Sequence, residues 1–353
     1  MNAPVKAGEV VRAADLRDAA EVRRIEGFVA DCSASLFHRP AWLRAVEAGT
    51  GQRAACLVAE RMGVVTGWLP LTEVRSPLFG KALVSSGFGV GGGIVAEGAS
   101  TGQALAEAAQ AYAVGGGFPS IELRGGAIPE DWQQWSEKHC GFERALAADD
   151  EAELLAIPRK ARAEVRKGLG FGHRVTVGRG ASDLASHYAC YSESVRNLGT
   201  PVFPRALFRA MIEAFPDSSD ILTVWQGETP LASVLSFYHD GAVLPFWGGG
   251  VFAARAARAN EVMYYELMLH ARRQGMTRFD FGRSKTGSGP FAFKKNWGFE
   301  PVPLTYGAWT DGGAARRNID PTDASYSRKI ELWKKLPLPV ANTLGPWIAR
   351  GLA

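Results

Sequence analysis

Two landmarks recur in this chain at one spacing, and the recurrence limits what it can fold into. Gly91-Gly92-Gly93 returns as Gly248-Gly249-Gly250, 157 residues later. The run Ser120-Ile121-Glu122-Leu123-Arg124 is answered by Arg278-Phe279-Asp280-Phe281, with Ile121 and Phe279 158 residues apart. A period of that size exceeds any solenoid repeat and matches a domain, so it points to duplicated domains. The 353 residues hold two such units comfortably.

Both halves read in the same element order. In the first, a strand-like run from Ala55 to Glu60 turns at Met62-Gly63 into Val64–Thr72. Ala82–Ser85 then leads to the first glycine triplet, an alanine-rich helix over 103–114 and the strand 120–124. In the second, 221–225 turns at Gly227-Glu228 into 231–238, followed by 243–247, the second triplet, a helix over 260–273 and the strand 278–281. Helical spacing of apolar residues marks two further helices ahead of the second hairpin, over 183–196 and 204–215. A hairpin feeding a β-α-β crossover gives a mixed α/β (α+β) fold with mixed sheets flanked by helices; a purely parallel sheet would contain no hairpin. The expected organisation is a first domain over 1–150, a second over 151–312, and a basic tail over 313–353 containing Trp and Pro.

Chemistry concentrates where the second copy ends. The strand 278–281 passes Asp280 into the loop Arg283-Ser284-Lys285, and a basic, aromatic segment, Phe293-Lys294-Lys295-Asn296-Trp297-Gly298-Phe299, answers it. Loops on a rigid strand scaffold carry function. Asp280 lies between two rings, so alternation turns it to the opposite face, either as a base or as an outward strand residue. Between the two units, Pro158 and Gly168 frame a helix that places Arg159, Arg162 and Arg166 on one face. Such a face is either a solvated linker helix or a phosphate grip. The triplet Gly248–Gly250 after Trp247, with Arg255 and Arg258 behind it, suits an anion held at a helix N-terminus, or else a ligand-free glycine bulge. The first triplet lacks arginines behind it and reads as structural or acceptor-facing.

Other chemistries find little support. The loop after Asp280 is not a nucleotide-phosphate loop, because its lysine does not immediately precede a helix. No G-x-S-x-G elbow, C-x-x-C pair or H-E-x-x-H helix occurs, so no metal is expected. Cys32, Cys56, Cys140 and Cys190 are scattered and read as reduced thiols. A net charge of +4 is too weak to imply nucleic acid but fits phosphate-bearing ligands or an anionic membrane surface. The first residues lack an apolar leader core, and no window is apolar enough to span a bilayer. A cytoplasmic location follows as the expectation, with peripheral contact at the inner membrane face.

The strand Phe279-Asp280-Phe281-Gly282 with Phe293-Lys294 and Trp297-Gly298-Phe299 resembles the second-domain pattern of Fem-type acyltransferases in the GNAT superfamily. Phe37-His38-Arg39-Pro40-Ala41-Trp42 resembles the first-domain entry of Fem-type and BioF2-like acyltransferases, and the arginine helix is similar to one in Fem-like proteins. Leu78-Phe79-Gly80, Asn197-Leu198-Gly199-Thr200-Pro201 and Pro301–Tyr306 are similar to FemAB-like proteins associated with exosortase/PEP-CTERM loci, a branch that includes proteins like bacterial ceramide synthases. The usual pyrophosphate-loop spacing of the superfamily is missing, and no heptad run marks the coiled-coil arm of the large Fem enzymes. The resemblance implies two tandem GNAT-like domains and N-acyl transfer from acyl-CoA, a co-substrate rather than a resident cofactor. The acceptor it implies is an amine-bearing lipid or envelope precursor, a sphingoid base among them. It further implies Asp280 as the base, Trp247 to Gly250 with Arg255, Arg258, Arg283, Lys285 and Lys294 at the donor, and Arg162, Arg166, Asn197, Trp297 and His38 at the substrate, although a lone His in that setting is more often a packing residue. Two alternatives stand beside it. One is a tRNA-dependent aminoacyl or acyl transfer to peptidoglycan or exopolysaccharide precursors. The other is a non-catalytic binding protein that keeps the fold.

Overall fold

Turns set the hairpins. Met62 and Gly63 both take positive φ, as do Asp240 and Gly241, the backbone that lets a tight turn match the twist of its strands. The computed structural model describes residues 8–313 and 324–353. It divides into two units: unit 1 holds residues 8–137, 304–313 and 347–353, and unit 2 holds residues 138–303 and 324–346.

Unit 1 begins with β1 (Glu9–Ala13), α1 (Ala19–Asp31) and α2 (Pro40–Thr50). The Asp18 carboxylate caps α1 through the Ala20 N–H, and Gly51 in the left-handed region ends α2. There follow β2 (Leu57–Arg61), β3 (Val64–Leu69), β4 (Leu71–Ser76), β5 (Gly80–Ser85), β6 (Val95–Ala96), α3 (Ala99–Gly116), β7 (Ser120–Arg124) and β8 (Gln133–Trp135). β1, β2, β3 and β6 form one sheet. α3 lays Leu105, Ala106, Ala109 and Ala113 on a core with Leu83, Ile121 and Leu123.

Unit 2 contains β9 (His139–Ala145), α4 (Asp150–Ala156), α5 (Arg159–Leu169), β10 (Arg174–Gly178), α6 (Ala181–Leu198) and α7 (Arg205–Ala214). The chain then forms β11 (Ser219–Gln226), β12 (Thr229–His239), β13 (Ala242–Gly250), α8 (Ala259–Arg273), β14 (Arg278–Asp280), β15 (Ser284–Lys285), α9 (Gly289–Asn296) and β16 (Pro301–Pro303). The sheet runs β10-β11-β12-β13-β14-β9-β15, with β16 also on β9. α8 buries Met263, Leu267 and Ala271 against Val234, Val243, Phe279 and Phe281. These three are the 158-residue counterparts of Leu105, Ala109 and Ala113, so the repeat extends to the packed face of the crossover helix.

The last strand of each repeat pairs outside its own repeat. β9 precedes position 150 in the chain, yet it pairs with β14 in unit 2, with Phe279 opposite Arg144. β17 (Tyr306–Thr310) follows the second repeat but completes the unit 1 sheet β4-β5-β7-β17-β8, with Ile121 opposite Trp309. Unit borders therefore fall at 137/138 and 303/304, where sequence spacing sets them at 150 and 312.

Of the tail expected over 313–353, residues 314–323 lie outside the described residues. Its remainder forms α10 (Ala324–Lys334) and α11 (Leu338–Ala349). Arg196 of α6 caps α10 by donating to the carbonyls of Lys334 and Leu336. α11 buries Ala341, Gly345 and Ala349, while Val340, Leu344 and Trp347 stay exposed. Among the described residues no helix is long and apolar enough to cross a membrane, and no group of three or more acidic, His or Cys residues is placed to hold a metal ion. The four cysteines are free thiols.

Candidate active site

The two units treat the space beside their central parallel strands differently. In unit 1, β5 and β7 register at Leu83–Ile121 and Val84–Glu122 only. Past that point the segment 86–94 fills the gap: Arg124 donates to Gly89 O at 2.9 Å, Tyr306 to Val90 O at 2.8 Å, and Ile94 bridges to Gly126. The backbones close so tightly that a Cβ on Gly93 would lie 1.7 Å from Gly125 O. His38 belongs to this filling. It is buried, with Ser35 on Nδ1 at 2.9 Å and Gly93 O on Nε2 at 3.0 Å. Its place is structural, not at the substrate.

In unit 2, β13 and β14 likewise register at two pairs, Ala242–Arg278 and Val243–Phe279, but β13 runs seven residues further while still laddered to β12. A bulge at Phe246 shifts that ladder between Pro245 and Trp247. Val251 N–H donates to Leu231 O at 2.9 Å. By antiparallel alternation Gly249 and Trp247 point the same way, which turns the N–H groups of Gly248 and Gly250 towards the β14 side. The ladder thus removes Trp247 and Gly249 from the expected donor set and leaves Gly248 and Gly250. The Trp247 indole packs edge-on against Phe208, 5.2 Å between centroids.

The glycines have packing reasons too. A Cβ on Gly249 would sit 2.4 Å from Ser194 Oγ of α6, and one on Gly250 2.6 Å from Asn260 Oδ1. The chain leaves Gly250 through a short 3-10 turn, Phe252–Arg255, into the N-terminus of α8. Arg255 is exposed beside that end. Arg258 takes the N-cap with φ 53° and is ion-paired to Glu164 of α5. Gly168 of α5 lies against Arg258 and Val262, close enough that a Cβ would fall 2.7 Å from Val262 Cγ2. Arg162 donates to Leu155 O at 3.0 Å, and Arg166 is exposed.

Asp280 closes the strand as an Asx turn, its Oδ1 accepting from Gly282 N–H at 2.8 Å. Burial raises its carboxyl pKa above the ordinary range; the Gly282 N–H opposes this, and Glu143, its cross-strand neighbour, pushes it further up. Phe279 and Phe281 are buried on the α8 face, so Asp280 faces the α6 side together with Gly249. Lys294 is buried rather than presented to a ligand. Its Nζ donates to Gly282 O at 3.1 Å and Arg283 O at 3.0 Å, and lies 5.3 Å from the ring centroids of both Phe142 and Phe281. Burial pushes its pKa down to about 8. Trp297 is also core, 1% exposed and packed with Phe281, Phe293 and Tyr264, which corrects its expected place at the substrate. Arg283 and Lys285 are half-buried on the loop, and Asn197 is half-buried one turn beyond Ser194 on α6.

Two residues escape a sequence reading. Tyr264 places its hydroxyl 3.4 Å from where a Gly248 Cβ would lie, its pKa pushed up to about 12 by burial. Ser284 buries an Oγ that has no partner among the described residues. Tyr264 sits at core spacing within a helix, and nothing in the sequence separates it from a packing aromatic.

Residues 158–295 match the model of an acetyltransferase (GNAT) domain. Among solved structures, FemX aligns with a TM-score of 0.59 at 15% identity, over 80% of this chain and 95% of that one. A tandem GNAT protein from the clavulanic acid biosynthesis pathway gives a TM-score of 0.59 at 11% identity, over 87% of this chain and 100% of the other. The C-terminal domain of a putative lysylphosphatidylglycerol synthetase from Agrobacterium fabrum gives 0.54 at 12% identity, over 83% and 93%. No curated protein matches the chain. The chain therefore has the tandem GNAT fold, and its second unit carries a GNAT acyltransferase domain, a class that uses acyl-CoA as co-substrate and keeps no permanent cofactor.

Proposed function

We propose that unit 2 transfers an acyl group from acyl-CoA to a primary amine on a lipid acceptor, a long-chain base of the sphingoid type being one candidate. The observation that carries this reading is the early end of the β13–β14 ladder, which leaves the Gly248 and Gly250 N–H groups directed to the β14 side of β13, beyond the last pair with β14 and ahead of the N-terminus of α8. Orphan N–H groups and the helix dipole suit the pyrophosphate of the donor, with Arg255, Arg258, Arg162 and Arg166 adding positive charge. Gly248 N–H is the candidate donor to the thioester oxygen as it becomes an oxyanion. Asp280 takes the proton released when the neutral amine adds to the thioester carbon. The C–S bond then breaks, and the departing thiolate is protonated from Tyr264 or water. Arg283, Lys285 and Asn197 are candidate acceptor contacts.

A lipid acceptor is supported by α11, which turns Val340, Leu344 and Trp347 outward, and by exposed Arg328, Lys329 and Lys335 on the segment before it. Apolar anchors with neighbouring cations fit an anionic leaflet at the membrane surface. The lysylphosphatidylglycerol synthetase neighbour bears a lipid in its name, which adds to this reading. The second reading, aminoacyl transfer to an envelope precursor, draws on the likeness to FemX.

The test is to incubate pure full-length protein with a panel of acyl-CoAs and amines, following free thiol by colour and products by mass. Thiol release with an N-acylated long-chain amine is the expected result. Product formed only from aminoacyl-tRNA would replace this reading with the second. Absence of product with every donor would leave a binding protein.

A further inference from the structure

A pocket of about 190 Å³ opens in unit 1, at the end of β4 that leads into the β4–β5 hairpin. That is the opposite end of the sheet from the segment 86–94. Its walls come from the turn after α2, from β4 and from the residues after α11, and they bring three arginines together: Arg53, Arg75 and Arg350.

The arrangement is built rather than incidental. Gln52 is 5% exposed, and its single amide organises two of the three arginines. Its Nε2 donates to the carbonyls of Arg75 at 3.2 Å and Arg350 at 3.0 Å, and its Oε1 accepts the Arg75 N–H at 2.9 Å. Glu73, also buried, offers the pocket's carboxylate. It is fully engaged: Oε2 accepts from Arg75 Nε at 3.2 Å and Nη2 at 3.1 Å, and Oε1 accepts from Tyr112 at 2.7 Å. The Arg75 guanidinium is further fixed over the Phe118 ring, 4.4 Å from its centroid. Glu73 therefore balances Arg75. Among the described residues, the guanidiniums of Arg53 and Arg350 have no carboxylate partner, and they add two uncompensated positive charges to one concavity.

Converging guanidiniums repel one another unless an anion lies between them, and their planar forks match the oxygens of phosphate. We propose that this pocket binds a phosphate group, carried either by a small phosphomonoester or diphosphate or by a lipid headgroup. Arg53 and Arg350 hold the phosphate oxygens, Arg75 adds its field while anchored to Glu73, and Gln52 is the positioning residue. A lipid source fits the exposed Trp347, three residues before Arg350, because an amphipathic indole suits the membrane interface. The site is independent of the acyl-transfer reading, because none of its residues belongs to unit 2.

The experiment compares thermal unfolding of full-length protein in inorganic phosphate, in pyrophosphate and in chloride at matched ionic strength. For wild type, about 10 mM of either phosphate probe should raise Tm by about 2–5 °C. Arg53→Gln with Arg350→Gln should lose that rise while keeping the wild-type Tm in chloride, since both side chains reach solvent. Arg53→Lys with Arg350→Lys should keep part of it. Sedimentation with phosphatidate or phosphatidylcholine vesicles then separates the sources. Phosphatidate binding lost in the Gln variant assigns the site to a headgroup; phosphatidate binding unchanged, with the Tm response lost, assigns it to soluble phosphate. No rise in wild type, or an equal rise in wild type and the Gln variant, overturns the proposal.

Discussion

Asp280 and Lys294 both bond to the turn that follows β14, Asp280 through the Gly282 N–H and Lys294 through the Gly282 and Arg283 carbonyls, and burial perturbs them in opposite senses. For Asp280 the folded pKa is raised above 3.8, so the folded state holds more protons than the unfolded one across the window above that value. Stability from this group is full below about 3.8 and is lost as pH rises through the folded pKa. Asp280→Asn is therefore expected to raise Tm at neutral pH, to give no gain in strong acid, and to lower kcat/KM by about 10²–10⁴-fold as a general base is lost. The wild-type acid limb of kcat/KM should lie above the ordinary carboxylate range and vanish in the variant. An unchanged rate would make Asp280 a strand residue only. For Lys294 the folded pKa falls from 10.5 to about 8, so the unfolded chain binds the extra proton between those values. Its contribution to stability therefore improves as pH rises from 8 towards 10.5. The difference in unfolding free energy between wild type and Lys294→Met should move in favour of wild type over that range; a flat difference would show that the ammonium is not desolvated.

At the level of elements, the second glycine triplet serves the approach of two helices to β13. Ser194 of α6 occupies the space where a Gly249 side chain would project, and Asn260 of α8 does the same for Gly250. Gly249→Ala is expected to destabilise the protein by about 1–3 kcal/mol through forced displacement of α6. Gly91→Ala, whose Cβ would meet Phe37 Cδ2 at 3.4 Å, should cost clearly less. Chemical denaturation of both variants makes the comparison, and equal losses would count against this account of the triplet. The same alternation that pairs Gly249 with β12 makes Gly248 the glycine to watch for turnover.

On the scale of the molecule, the exposed side of α11 decides whether the chain meets a membrane. α11 sets its small residues, Ala341, Gly345 and Ala349, inward, with Gly345 against Val202 of unit 2. Deleting α11 would therefore disturb the fold as well as any surface contact. Replacing Val340, Leu344 and Trp347 together by Ser leaves those inward contacts in place. This triple variant should keep its Tm while losing most sedimentation with phosphatidylglycerol vesicles, since each buried apolar side chain is worth about 1.5–3 kcal/mol. Equal sedimentation of variant and wild type would remove the membrane surface from the proposed function.

Periodicity, turn residues and the 158-residue recurrence between Ile121 and Phe279 mark both crossover helices and the tandem fold, because they are local or repeat in sequence, but they read 64–72 as one strand where the structure divides it into β3 and β4 of two separate sheets. They also single out Asp280, whose setting between two rings is written in the strand itself. The exchange of β9 and β17 is invisible to them: a strand's partner is a long-range choice, and its own residues alternate the same way in either sheet. The ladder's assignment of N–H directions at Gly248 and Gly249, the burial of Lys294 and Trp297, and the filling of the unit 1 gap around His38 were likewise decided only in three dimensions. A basic or aromatic residue reads alike whether it faces a ligand or caps a carbonyl, and only the packing around it says which. Arg53, Arg75 and Arg350 make the same point, since the buried Gln52, next to Arg53 in the chain, ties Arg75 to Arg350 from a segment almost 300 residues away.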